Sequence, residues 1–126
     1  MGKYTAGLAI LVLAAYGGMA QQMPVIVVNI PFQFNADMNL APAGTYEVQP
    51  NSAETHIQLH NVKTDERYIV RVLTRLASRG PGQSLVAFDV EGQNHYLAEV
   101  HIAGIDGFAL GGAQGKHTHI TIPAKK

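Results

Sequence analysis

Between Pro24 and Pro50 the chain alternates apolar and polar positions in two runs, and the rest of the sequence repeats that style. In Val25–Phe34 the residues Ile26, Val28, Ile30, Phe32 and Phe34 share one parity. In Thr45–Val48, Tyr46 and Val48 alternate with Thr45 and Glu47. Period-2 alternation marks strands with one face in a core. Pro31 cannot donate to a ladder, so the first run is either an edge strand or two short strands broken near Asn29–Pro31. Ala36–Ala41 is polar and turn-prone, with Leu40 expected to point inward, and Pro42-Ala43-Gly44 supplies the turn before the second strand.

Two hairpins are predicted downstream. Thr55–His60, with Ile57 and Leu59 inward, returns through Asn61–Glu66 into Arg67–Leu76, with Tyr68, Val70 and Val72 inward. Leu85–Val90 returns through Glu91-Gly92-Gln93-Asn94 into His95–Ala103, where Tyr96, Ala98, Val100 and Ile102 form the apolar parity and Leu97 falls with His95, Glu99 and His101. Ser78–Gln83 reads as a loop. Gly104–Lys116 holds five glycines and reads as the most flexible part, tethered by Phe108 and Leu110. His117–Ile122 is a last strand with Ile120 and Ile122 inward. The expected core is Phe32, Phe34, Tyr46, Ile57, Leu59, Tyr68, Val70, Val72, Phe88, Tyr96, Val100, Ile102, Ile120 and Ile122. No stretch after Ala20 reads as a helix. Roughly six to eight strands with short turns predict an all-β domain, an antiparallel β-sandwich or a small, partly closed β-barrel.

Composition narrows the setting. The 126 residues suffice for one modest core. Nine Lys plus Arg balance nine Asp plus Glu, so the basic footprint of a nucleic-acid binder is missing; Arg67, Arg71, Arg75 and Arg79 read as the wetted face of a strand and its exit turn. Lys3, the apolar stretch Ala6–Ala15 and the small residues of Gly18-Met19-Ala20 read as a signal peptide, residues 1–20, cleaved after Ala20. That leaves a single domain, residues 21–126, with no membrane span and a charge of eight minus nine, or −1. The expected location is secreted, periplasmic or cell envelope. Without cysteine, stability rests on packing and ladder hydrogen bonds.

Ile30-Pro31-Phe32-x-Phe34 followed by Leu40-x-Pro42-Ala43-Gly44-Thr45-Tyr46-x-Val48, with Leu85–Phe88 and Tyr96–Val100, resembles small secreted proteins of unassigned function from soil bacteria of the acidobacterial type. The resemblance spans about two thirds of the mature chain. It departs at the extra Ala41 before Pro42, the glycine-rich segment and the His117-x-His119 ending. It implies export and a β fold, and it assigns no catalytic residue.

Candidate chemistry is sparse. Gly111-Gly112-x-x-Gly115-Lys116 lacks the following helix and hydroxyl residue of a phosphate loop. No serine stands in a nucleophile elbow, and no thiol exists. Asp37, Asp89 and Asp106 are the carboxylates available to a hydrolase. His117 and His119 share one strand face and present two imidazoles; pairing with His95–Ala103 would set Glu99 and His101 beside them. That donor set suits zinc or copper. His56 and His60 also share a face but stand four residues apart. Three readings follow. The first is a non-catalytic exported domain that associates with itself, a homo-oligomer joined through the edge strand Val25–Ile30. The second is a metal or small-ligand module on His101, His117, His119 and Glu99, and the third is a hydrolase.

Overall fold

The computed structural model describes residues 23–125. The expected signal peptide and its cleavage point lie outside the described residues. Eleven strands follow in order: β1 (Ile26–Ile30), β2 (Phe34–Ala36), β3 (Asn39–Ala41), β4 (Gly44–Pro50), β5 (His56–Asn61), β6 (Arg67–Arg71), β7 (Thr74–Leu76), β8 (Leu85–Glu91), β9 (Asn94–His101), β10 (Gly107–Ala109) and β11 (Thr118–Pro123). The excess over six to eight comes from β2, β3, β7 and β10, each three residues long. Pieces that short carry too little alternation to register in a sequence pattern.

One sheet has the order β1-β4-β5-β6, and the second runs β11-β8-β9-β10-β7. The pair β2 and β3 joins the second sheet by a single parallel bridge, Asn35 to Tyr96. Among the described residues both sheets end in open edges, so the architecture is a sandwich and not a closed barrel. Among the described residues there is no helix, and so none long and apolar enough to cross a membrane.

The inner faces meet in one cluster built from Val28, Ile30, Phe34, Tyr46, Val48, Ile57, Leu59, Val70, Val86, Phe88, Leu97, Val100 and Phe108. Phe34 bridges the sheets, with its ring edge-on to Tyr46 of β4 and to Phe88 of β8, 5.4 Å from each. Such pairs add about 0.5–1.5 kcal/mol beyond their buried area. Phe32, Tyr68, Val72 and Ile122 pack against this core half-buried.

Three expected faces need correction. A bulge in β9 lets Ala87 pair with Glu99 and Phe88 with Leu97, so Ala98 has no partner in β8. One extra residue reverses the side-chain parity beyond it. Leu97 therefore enters the core while Tyr96 turns outward, half-buried. Ile120 faces inward beside Phe88, but it lies on the edge strand and stays 37 % exposed. Leu40 is exposed on β3, which pairs with β2 alone.

Strand β1 is an edge strand that ends before Pro31. Ile26, Val28 and Ile30 are buried in the chain's own core, and the backbone N–H of Lys125 donates to the Val27 carbonyl at 2.8 Å. Val25 remains exposed. The chain's own C-terminal segment thus covers part of this edge.

Candidate metal centre

The topology forces a crossover. Strand β10 pairs with β9 on one side, while β11 pairs with β8 on the other. The chain from Leu110 to His117 must therefore pass over both β9 and β8. It begins with the Leu110 N–H donating to the Ala98 carbonyl at 2.7 Å, at the bulge. It then lies flat on the outward face of β8 and covers Asp89, which is only 6 % exposed. The glycines make that closeness possible. Gly112 has φ +65°, and a Cβ there would overlap Asp89 Oδ2; a Cβ on Gly115 would overlap the Glu91 carboxylate. The segment expected to be loose is a strap pinned to a buried carboxylate.

At the end of the strap the chain enters β11, whose register sets His119 opposite Asp89. The two side chains share one face, and His117 precedes His119 by two positions, on the same parity. Asp89 Oδ1 accepts a hydrogen bond from His119 Nδ1 at 2.8 Å, and Asp89 Oδ2 accepts one from the Ala113 N–H at 2.9 Å. His117 Nδ1 lies 2.6 Å from the Gly115 carbonyl oxygen. A carbonyl only accepts, so this nitrogen carries the hydrogen and donates. In the neutral ring, Nε2 of His117 is then a bare lone pair. It faces Asp89 Oδ2 at 3.6 Å, too far for a hydrogen bond.

Two lone pairs meeting across such a gap call for a cation or a proton between them. Donors held about 2.0–2.1 Å from a tetrahedral ion stand about 3.3–3.4 Å apart, close to the spacing seen. One donor atom from each of Asp89, His117 and His119 lies within 4.8 Å of the others. The carbonyl that orients His117 is the kind of outer partner that fixes a metal-binding imidazole. Side-chain exposure rises from 9 % at Asp89 through 25 % at His117 to 68 % at His119, so the group is closed on the strap side and open at the sheet edge.

The register also separates the other expected donors. His101 pairs with Leu85, which pairs with Pro123, four residues along β11 from His119. That places His101 about 13 Å along the strands and about 10 Å across them from His119. Strand β11 pairs with β8 rather than β9, so Glu99 and His101 form their own contact, Nε2 to Oε1 at 2.7 Å. His101 is buried against Gly107, and its Nδ1 has no hydrogen-bond partner among the described residues. In the neutral ring, with Glu99 accepting from Nε2–H, Nδ1 carries a lone pair and no hydrogen.

The other histidines have different surroundings. His95 stacks on Phe32, ring centroids 3.9 Å apart. His56 Nδ1 lies 3.0 Å from the Thr55 hydroxyl. His60 contacts Glu47 at 2.8 Å and Asp65 at 2.5 Å; these hydrogen bonds, Glu47's first and then Asp65's, hold its pKa above the ordinary 6.5. Of the carboxylates expected for hydrolysis, Asp106 pairs with Arg75 at 3.2 Å. Asp37 stands at the β2–β3 turn and, with Glu91, Asn35, Tyr96 and Gln114, lines a polar cleft of about 360 Å³ beside the strap.

Asp89 is the donor that sequence reasoning passed over as a ligand. A lone carboxylate inside the apolar run Leu85–Val90 was its signal, because a charge in such a run needs partners. No protein-family model, curated protein or solved structure matches the chain.

Proposed function

We propose that this domain binds a divalent transition metal, zinc or copper, through Asp89, His117 and His119. The observation that carries the reading is the pair of facing lone pairs, His117 Nε2 and Asp89 Oδ2, each held by a backbone partner from the strap. Two imidazoles and a carboxylate match the preferences of both ions. The export expected from the amino terminus belongs to the same proposal. A centre without thiolate ligands keeps its donors in an oxidising compartment, where cysteine would be lost to disulfides or sulfur oxidation.

Calorimetric titration of the metal-free domain with zinc and with copper tests the reading. One ion per chain should bind, and His117→Ala and His119→Ala should each weaken it at least tenfold. The reading is overturned by no binding, or by binding that both variants leave unchanged. His119→Ala is the safer variant because that side chain is mostly exposed.

A further inference from the structure

We infer that the metal held here keeps a coordination position open to solution and takes a small anionic oxygen or nitrogen donor there, a carboxylate or similar group. The inference rests on the metal reading above and concerns what the bound ion does next. Among the described residues, three side chains form the cluster. A tetrahedral ion needs four donors, and sites closed by four protein ligands are structural, whereas three leave an exchangeable position.

The direction of the opening follows from burial. Asp89 is roofed by Gly112 and Ala113, and His117 is tied back to the Gly115 carbonyl, so the strap occupies that side. His119 stands on β11, the edge strand, at 68 % exposure, so the unfilled side faces solvent.

Charge selects the ligand class. A dication with the Asp89 carboxylate carries a net +1 locally. The charged groups nearest the strap, Glu91 beneath Gly115, Asp37 across the neighbouring cleft and exposed Lys116, lie outside the donor set and leave that local charge uncompensated by direct contact. An anion therefore completes the site with the smallest residual charge. The bound metal would polarise that ligand or lower the pKa of a water in its place.

A second copy of the chain is the competing source of the fourth donor, because among the described residues β11 pairs with β8 alone and its other edge lies beside the site. Cobalt(II) substitution separates the cases, since its d–d absorption reports coordination. The protein is loaded with one equivalent of cobalt(II), then titrated with sodium azide and separately with sodium acetate, with molar mass followed by light scattering. The expected result is a monomer whose visible spectrum changes saturably with both anions. By linkage, azide at ten times its Kd raises the apparent cobalt affinity about tenfold. A cobalt spectrum indifferent to both anions overturns the inference while leaving the metal reading intact, and a doubled mass with that spectrum assigns the fourth donor to a second copy. Failure to bind cobalt, zinc or copper at all removes both.

Discussion

Replacing Gly112 by alanine tests whether the strap is shaped by its contact with Asp89. Two costs arise at this position. Gly112 sits at φ +65°, where an L-residue with a Cβ is disfavoured by roughly 1–2 kcal/mol. The new Cβ would also overlap Asp89 Oδ2 and come within 3.3 Å of Ala98 Cβ. The carboxylate cannot swing aside freely, because the Ala113 N–H and His119 hold its two oxygens. Displacing it forfeits a hydrogen bond to a charged acceptor, about 1.5–3 kcal/mol. Partial relaxation of the strap reduces the sum, so Gly112→Ala should destabilise the domain by about 2–4 kcal/mol. Gly111 is the internal control. It lies outside the left-handed region, with nothing within 4 Å of its added Cβ, so Gly111→Ala should stabilise by about 0.4–1 kcal/mol through the unfolded chain. Urea titrations of the three proteins, with equal m-values, read the difference directly. If the two variants differ by less than about 0.5 kcal/mol, on the scale of ordinary surface substitutions, the strap does not rest on Asp89 as described. In the same samples Gly112→Ala should weaken zinc binding and Gly111→Ala should not.

Two further outcomes are expected. His60 has a raised pKa, first through its hydrogen bond to Glu47 and then through that to Asp65, and Asp65 has a lowered one through its hydrogen bond to His60. The His60 contribution is complete below its unfolded value near 6.5 and fades as pH rises through the higher folded value. The Asp65 contribution is present above 3.8 and is lost as pH falls through the lower folded value. Stability should therefore gain most from this cluster between about pH 4 and 6.5, and His60→Gln should flatten that window; a ring titration midpoint for His60 at or below 6.5 in NMR would refute the assignment. Protein recovered from its native envelope or medium should begin at Gln21 by intact mass, and a species retaining Met1–Ala20 would defeat the export proposal.

Local pattern determined much of this domain. Ile57 and Leu59 against Gln58 and His60 place β5 correctly, because a strand with one buried face must alternate and nothing interrupts it. The β5–β6 and β8–β9 hairpins were legible for a similar reason: each joins two alternating runs through a polar turn. The likeness of His117 and His119 to a ligand pair was legible too, since spacing by two fixes a common face. Their partner was not. Asp89 meets His119 only because β11 pairs with β8 and the register falls where it does, and 30 residues separate the two in the chain. A chain pattern states which way a side chain points, but not which strand lies next to it. The bulge at Ala98 shows the same limit in small. It moves Leu97 inward by adding one residue to the ladder, a change that exists only between strands and leaves no mark on either strand alone. The glycines of the strap likewise read as freedom until the fold set a carboxylate beneath them, where the missing Cβ atoms become the space that lets Asp89 be buried.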